Sequence, residues 1–313
     1  MTNTPAPRPR RRILASVVWV AWAAGVIATA LGLTAPWLSA FDLINEARPL
    51  LAVVAAVLFA AALALRDAAL IRPTLALVVL QAGLLLLPWA RAAATTNTAP
   101  TLRLVTFDLG AGNDRFDDIA DFILGAKADI VLLQEVSCSA ADRLIPKLRA
   151  AYANAYVSAD GCAGQAILAK RPWLSIGQTI TLTRKPLTVS ARFQWDRTSF
   201  TLTGVSLAGP LAPNEQTVEI ERLRATLATQ GASQVVAGAF NLTPASWKFA
   251  QLINAGFGQY ATYLTTWPAD WPVPALLMDN VLSTDGMASV RISAGAPLGS
   301  DHRPLITDIA FVK

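Results

Sequence analysis

Charge is scarce in this 313-residue chain: 15% of its residues are Asp, Glu, Lys or Arg, against 54% that are hydrophobic. Soluble domains carry about 25% charged residues, so the deficit excludes a simple soluble protein and puts part of the chain in a membrane. The deficit is local. No charged residue stands between Arg12 and Asp42, and two further uncharged runs follow, Pro49 to Leu65 and Pro73 to Ala90. The last two are near the ~17-residue minimum for crossing the hydrocarbon core, so residues 13–91 read as about three transmembrane helices. Cysteine is nearly absent as well. Cys138 and Cys162 form no CxxC pair, which leaves out a compact thiolate metal or redox motif. His302 is the only histidine.

The loop charges give the orientation. Arg8, Arg10, Arg11 and Arg12 precede the first span and Arg66 and Arg72 flank the second loop, whereas the first loop carries Asp42, Glu46 and Arg48. Basic residues beside a span are retained in the cytoplasm, so residues 1–12 are expected inside and the C-terminal part outside, at a bacterial-type inner membrane. Trp37 and Trp89 then fall at the outer ends of their spans, where amphipathic rings sit at the headgroups or simply pack. A cleaved signal peptide is the other reading of the first span, since small residues follow its apolar run. It also leaves the later domain outside.

A small, polar linker at residues 92–100 separates the spans from a domain of ordinary composition, residues 101–313. That domain has 18 basic and 18 acidic residues, net 18 − 18 = 0, so the chain's charge of +5 is 8 − 3 from the first hundred residues. The basic excess belongs to membrane topology. A grip on duplex nucleic acid needs basic charge facing the phosphates, and such a partner is disfavoured here. Cys138 and Cys162 both fall in the part expected in an oxidising compartment, where a disulfide is favoured over two buried thiols.

Hydrophobic period and turn signals alternate along the domain. Leu102–Leu109 reads as a strand, Asp114–Lys127 as an amphipathic helix and Asp129–Val136 as a strand buried on both faces. A helix near residues 140–150 precedes β segments at 164–170, 187–195 and 199–207. A helix from Asn214, taken as its N-cap, leads to the strand Ser233–Phe240. Late strands at 276–284 and 302–312 close the chain. Long β runs flanked by helices in both halves predict two sheets packed face to face with helices outside.

Several apolar strands end in polar residues: Asp108, Glu135, Ser206, Asn241, Asp279 and the pair Asp301-His302. A carboxylate closing an apolar strand is costly to bury unless paired or bound to a cation. Glu135 and Asp301 are therefore candidate ligands for a hard ion such as Mg²⁺. Asp108 and Asp279 also suit turns, and a lone histidine also suits a structural role.

The joint order of "LQE", "GQAILAKRP", "GAFN", "MDNVL" and "SDHRPL" resembles the endonuclease/exonuclease/phosphatase superfamily over nearly all of residues 101–313. The three preceding spans are similar to its membrane-anchored, teicoplanin-resistance (VanJ-like) branch. The resemblance implies a four-layer α/β/β/α sandwich and Mg²⁺- or Mn²⁺-dependent phosphoester hydrolysis. By position it assigns metal binding to Glu135, metal assistance to Asp301, the histidine at the scissile phosphate to His302, its orienting acid to Asp279, and phosphate contact to Asn241. Three positions depart from the pattern. Ala239 stands for the acid that positions the attacking water, Ser206 for a phosphate-contacting histidine, and Asp108 for an early asparagine. One carboxylate is lost at 239 and one gained at 108, so Asp108 is a candidate ligand for the metal or the water. Trp267 and Trp271, in a proline-stiffened loop, are candidates for contact with a lipid or the bilayer. The expectation is an outward-facing phosphoesterase acting on a membrane lipid or lipid-linked phosphate, or alternatively a binding module that has lost its catalyst.

Overall fold

The computed structural model describes residues 9–90, 101–158, 162–180, 186–259, 264–271, 276–284 and 286–312. The linker placed at 92–100 lies outside them. The chain divides into two compact units, Met1–Ala90 with Ala245–Trp247, and Arg91–Pro244 with Lys248–Lys313.

The first unit holds α1 (Pro9–Leu33), the short α2 (Asp42–Glu46), α3 (Arg48–Leu65) and α4 (Ala68–Ala90). Three helices are long and apolar enough to cross a membrane: Arg10–Leu33, Arg48–Leu65 and Ala68–Pro88. Val18, Ala55, Leu58, Ala62, Leu70 and Leu77 pack between them. Many large apolar side chains, such as Val20 and Val79, point outward, as lipid-facing helices require. Polar contacts tie the helices together: Gln81 Nε2 donates to Thr29 Oγ1 at 2.7 Å, and Arg48 donates to Asn45 Oδ1 at 2.8 Å. The third span starts earlier than its uncharged run, because α4 takes Arg72 and Pro73 into its first turns. Trp37 stands in the turn after α1, 80% exposed.

The second unit is a sandwich of two six-stranded mixed sheets. Its first half runs β1 (Leu102–Asp108), α5 (Phe116–Ala126), β2 (Ile130–Val136), α6 (Cys138–Arg143), α7 (Ile145–Leu148), β3 (Asn154–Ser158) and β4 (Gly164–Ala169). The second half runs β5 (Trp173–Ile180), β6 (Pro186–Trp195), β7 (Thr198–Ser206), α8 (Pro213–Ala228), β8 (Gln234–Ala239), α9 (Trp247–Asn254) and β9 (Gly258–Gln259). It ends with β10 (Asp279–Ser283), β11 (Met287–Ala294) and β12 (Leu305–Phe311). The sheet orders are β11-β12-β1-β2-β4-β3 and β5-β6-β7-β8-β10-β9. Each sheet has one parallel pair at its centre, β1 with β2 and β7 with β8, and antiparallel neighbours elsewhere. Those pairs need crossovers, which α5 and α8 supply. Leu104, Leu132, Val189, Leu202, Val235 and Val281 fill the space between the sheets. Outside, α5 to α7 cover the first sheet through Phe116, Ile119 and Leu148, and α8 and α9 cover the second through Ile220, Leu223 and Phe249.

The expected four-layer sandwich is present, with local differences. The helix expected near 140–150 is two short helices, since Pro146 cannot supply an N–H to a continuous one. Asn214 is not an N-cap: α8 begins at Pro213 and its cap position is Ala212. Proline at the first helical position has no N–H in need of a cap acceptor and has its φ already set. Cys138 and Cys162 are disulfide-bonded, 4.6 Å apart at Cα.

Candidate active site

Strand ends from both sheets meet at one edge of the sandwich. Asp108 ends β1 and Glu135 stands next to last in β2, while Ser206 ends β7, Asn241 follows β8 and Asp279 opens β10. They surround a cleft of about 440 Å³ lined by Asp108, Glu135, Ser206, Asn241, Trp267, Asp301 and His302. Asp279 lies behind that wall, 2% exposed, and Trp271 stands away from it, 60% exposed.

Backbone geometry sets these side chains. Glu135 has φ +49°, where β2 is bulged against β4, and Asn241 has φ +51°. Left-handed backbone at non-glycine residues costs of order 1–3 kcal/mol and concentrates at functional positions. Glu135 is further fixed by the Ala111 N–H, which donates to its Oε2 at 3.0 Å. The loop carrying Ala111 is pinned by Asn113, whose side chain donates to Leu109 O and Leu298 O. Gly238 is required for a different reason. A Cβ there would meet Val205 O at 2.2 Å, so only glycine lets β8 lie against β7 before Asn241.

His302, 6% exposed, and Asp279 form the core of the site. Asp279 Oδ2 lies 2.8 Å from His302 Nδ1, and Thr266 Oγ1 accepts from the Met278 and Asp279 N–H groups. Burial pushes the imidazole pKa down. The charge and hydrogen bond of Asp279, with Asp108 and Asp301 nearby, outweigh it and hold the group at about 10. Burial raises the Asp108 carboxyl to about 7, His302 pulls it down, and the charges of Glu135 and Asp279 push it up. The carboxylates thus repel one another around one cationic imidazole.

Among the described residues no three His, Cys, Asp or Glu side chains stand close enough to cage a metal. Asp301 Oδ2 instead accepts from Trp267 Nε1 at 3.0 Å. A Mg²⁺-like ion does not need a full cage, because it keeps several waters and uses one or two carboxylates. Asp108 and Glu135, on adjacent strand ends and mutually repelled, fit that requirement.

Ala239 is fully buried and paired in register with Ser206 on one side and Asp279 on the other. Directly opposed residues share a face, so its methyl lies in a row between them. Across the cleft, α8 supplies Glu215 and Glu219 to the lining and carries the buried Gln216 beside them, all three passed over by sequence reasoning. Gln216 and Glu219 stand in the same stripe as Ile220, Leu223 and Leu227, and polar residues in a buried helical stripe were the available signal.

A profile of the Endonuclease/Exonuclease/phosphatase family matches residues 105–302. The chain belongs to that family. Its members include phosphatases and nucleases, which points to phosphoester chemistry, and they generally depend on a divalent metal. No curated protein matches the chain. Solved structures share the fold. A humanized TDP2 of D. rerio superposes with a TM-score of 0.57 at 16% identity, covering 67% of this chain and 98% of its own. The endonuclease/exonuclease/phosphatase of Bacteroides vulgatus gives 0.53 at 19% identity, covering 67% and 99%. A Neisseria 3′ phosphatase, NExo, bound to a product DNA hairpin, gives 0.55 at 14% identity, covering 67% and 100%.

Proposed function

We propose that this chain is a membrane-anchored phosphoesterase of the VanJ-like branch, with its catalytic unit outside the cytoplasm, that hydrolyses a phosphate ester or anhydride on a lipid-linked substrate. The observation that carries it is the buried Asp279–His302 pair at the wall of a cleft that also holds Asp108 and Glu135. Asp279 takes the Nδ1 side of the ring and so leaves Nε2 for the substrate. His302 stabilises charge on the phosphoryl oxygens, Asn241 and Ser206 contact them, and Asp301 assists beside Trp267. Glu135 and Asp108 would hold Mg²⁺ or Mn²⁺, which when bound would supply charge neutralisation and a more acidic water. The neutral catalytic unit and the apolar helices favour a lipid-linked phosphate over nucleic acid, with Trp267 and Trp271 set to meet apolar parts of such a substrate.

Ala239 favours a second reading, a binding module that keeps the frame of the site without its catalyst. A methyl cannot accept a proton, and losing a general base costs about 10² to 10⁴ in rate. The test is product release by the full chain in detergent, phosphate from a lipid pyrophosphate and the alcohol from a simple phosphodiester, with and without Mg²⁺. Metal-dependent turnover lost in Glu135→Ala and His302→Ala is expected. An inactive parent that gains turnover in Ala239→Asp would support the binding module instead.

A further inference from the structure

The peptide group joining Leu207 and Ala208, just beyond Ser206, is held from both sides. Its N–H, on Ala208, donates to Glu219 Oε2 at 2.6 Å, and its C=O, on Leu207, accepts from Asn241 Nδ2 at 2.8 Å. A peptide is planar and trans, so fixing the direction of the N–H fixes that of the C=O. The C=O in turn decides which end of the Asn241 amide faces it, because only the NH₂ end can donate. Gln216 closes the arrangement: its Nε2 donates to Ala208 O at 2.8 Å and to Asn241 O at 3.0 Å. Glu219 is 4% exposed and Gln216 1%, so both bonds are shielded from water. A carboxylate accepting from the N–H also polarises the peptide and strengthens its C=O as an acceptor.

We infer that Glu219 is a positioning residue that orients the Asn241 side-chain amide toward the substrate phosphate through the Leu207–Ala208 peptide, with Gln216 as a second grip. The role requires a hydrogen-bond acceptor at Glu219 and not its negative charge. It rests on the phosphoesterase reading for its catalytic meaning, while the orientation of Asn241 is measurable without turnover.

The experiment uses full-length protein in detergent micelles with ¹⁵N-labelled asparagine, and compares Glu219→Gln, Glu219→Ala, Gln216→Ala and, as a surface control on α8, Glu221→Ala. The side-chain amide pair of Asn241, assigned by its loss in Asn241→Asp, is expected to keep its position in Glu219→Gln and Glu221→Ala and to shift or broaden in Glu219→Ala and Gln216→Ala. In phosphate release, Glu219→Ala is expected to lose about tenfold to hundredfold in kcat/KM, the cost of a misplaced contact, with Glu219→Gln recovering most of it. Glu219→Gln as impaired as Glu219→Ala would mean that the charge matters, as a metal ligand or an electrostatic group, and would overturn the proposal. So would an Asn241 signal indifferent to Glu219→Ala. If the parent shows no turnover, the phosphoesterase reading fails and the amide signals alone decide the positioning role. If Glu219→Ala does not fold, Glu219→Gln and Gln216→Ala carry the same comparison.

Discussion

Removing the Cys138–Cys162 bond should weaken the catalytic unit by an amount that follows from chain length. The two residues are 24 apart in sequence, so the bond closes a loop of about 25 residues. Chain-entropy reasoning gives about 12 cal/mol/K for such a loop, or about 3.5 kcal/mol at 25 °C. The Cα separation of 4.6 Å falls in the ordinary range for disulfides. For a unit of roughly 200 residues, 1 kcal/mol corresponds to about 2–4 °C in Tm, so the double variant Cys138→Ser, Cys162→Ser should melt about 7–14 °C lower. The effect has a functional address. Cys138 opens α6 directly behind the strand that carries Glu135, and Cys162 precedes Ala163, Gly164 and Gln165, which line the cleft. Calorimetry of the full chain in detergent, oxidised, reduced and in the double variant, reads the shift. Equal melting in all three would refute the entropy argument, and a shift in the variant without one on reduction would point to packing around the sulfurs instead.

Asp279→Asn should keep the fold and remove most turnover, because a neutral amide no longer holds the His302 imidazolium charged and in place through its Nδ1–H; a kcat lower by about 10² to 10⁴ is expected in phosphate release, and unchanged kcat would dismiss the pair as catalytic. At the far side of the first sheet, Asp308 on β12 takes hydrogen bonds from Arg103 on β1, at 2.6 Å, and Arg291 on β11, both its register partners. Burial pushes its carboxyl up, but the hydrogen bonds and charges of both arginines hold it below the usual carboxylate range. A depressed folded pKa stabilises above the unfolded value near 4, and that contribution disappears as pH falls through the lower folded value. Asp308→Asn should therefore cost about 2 kcal/mol at pH 7 and flatten the acid limb of the stability curve; a curve parallel to the parent's below pH 4 would contradict the assignment.

Much of the fold could be read from the sequence because β2 and β8 are near-continuous apolar runs that only a doubly covered sheet accommodates, while β1 and β7 are rich in β-branched and aromatic residues. The segments passed over are of another kind. β3, β5 and β11 lie at or near sheet edges with half-exposed faces, so their hydrophobic period is weak, and α9 is only eight residues long. At the site, Asp108, Glu135, Ser206, Asn241 and Asp301-His302 were legible as polar breaks in apolar strands, and the structure gathers them on one cleft. Trp271 was legible only as a neighbour of Trp267 and stands outside it. Gln216 and Glu219 were legible only as polar residues in the buried stripe of α8, while their backbone partners in the loop left no mark on the sequence.

Residues 108 and 239 have different electrostatic settings because different sheets carry them. A carboxylate at 239 would lie on the second sheet, in register beside Asp279, where like charges on neighbouring strands repel. The buried methyl of Ala239 adds no such charge, and Asp279 faces the cationic His302. The carboxylate at 108 lies instead on the first sheet, where Asp108 is in register with Gln134, next to Glu135. There the repulsion has a use, since a divalent cation held by two carboxylates on adjacent strand ends relieves it, in competition with the His302 charge and a proton on Asp108. Asp108→Asn should then weaken divalent-ion binding more than it disturbs the Asp279–His302 bond, and metal titration beside the His302 ring signals in the same sample would separate the two effects.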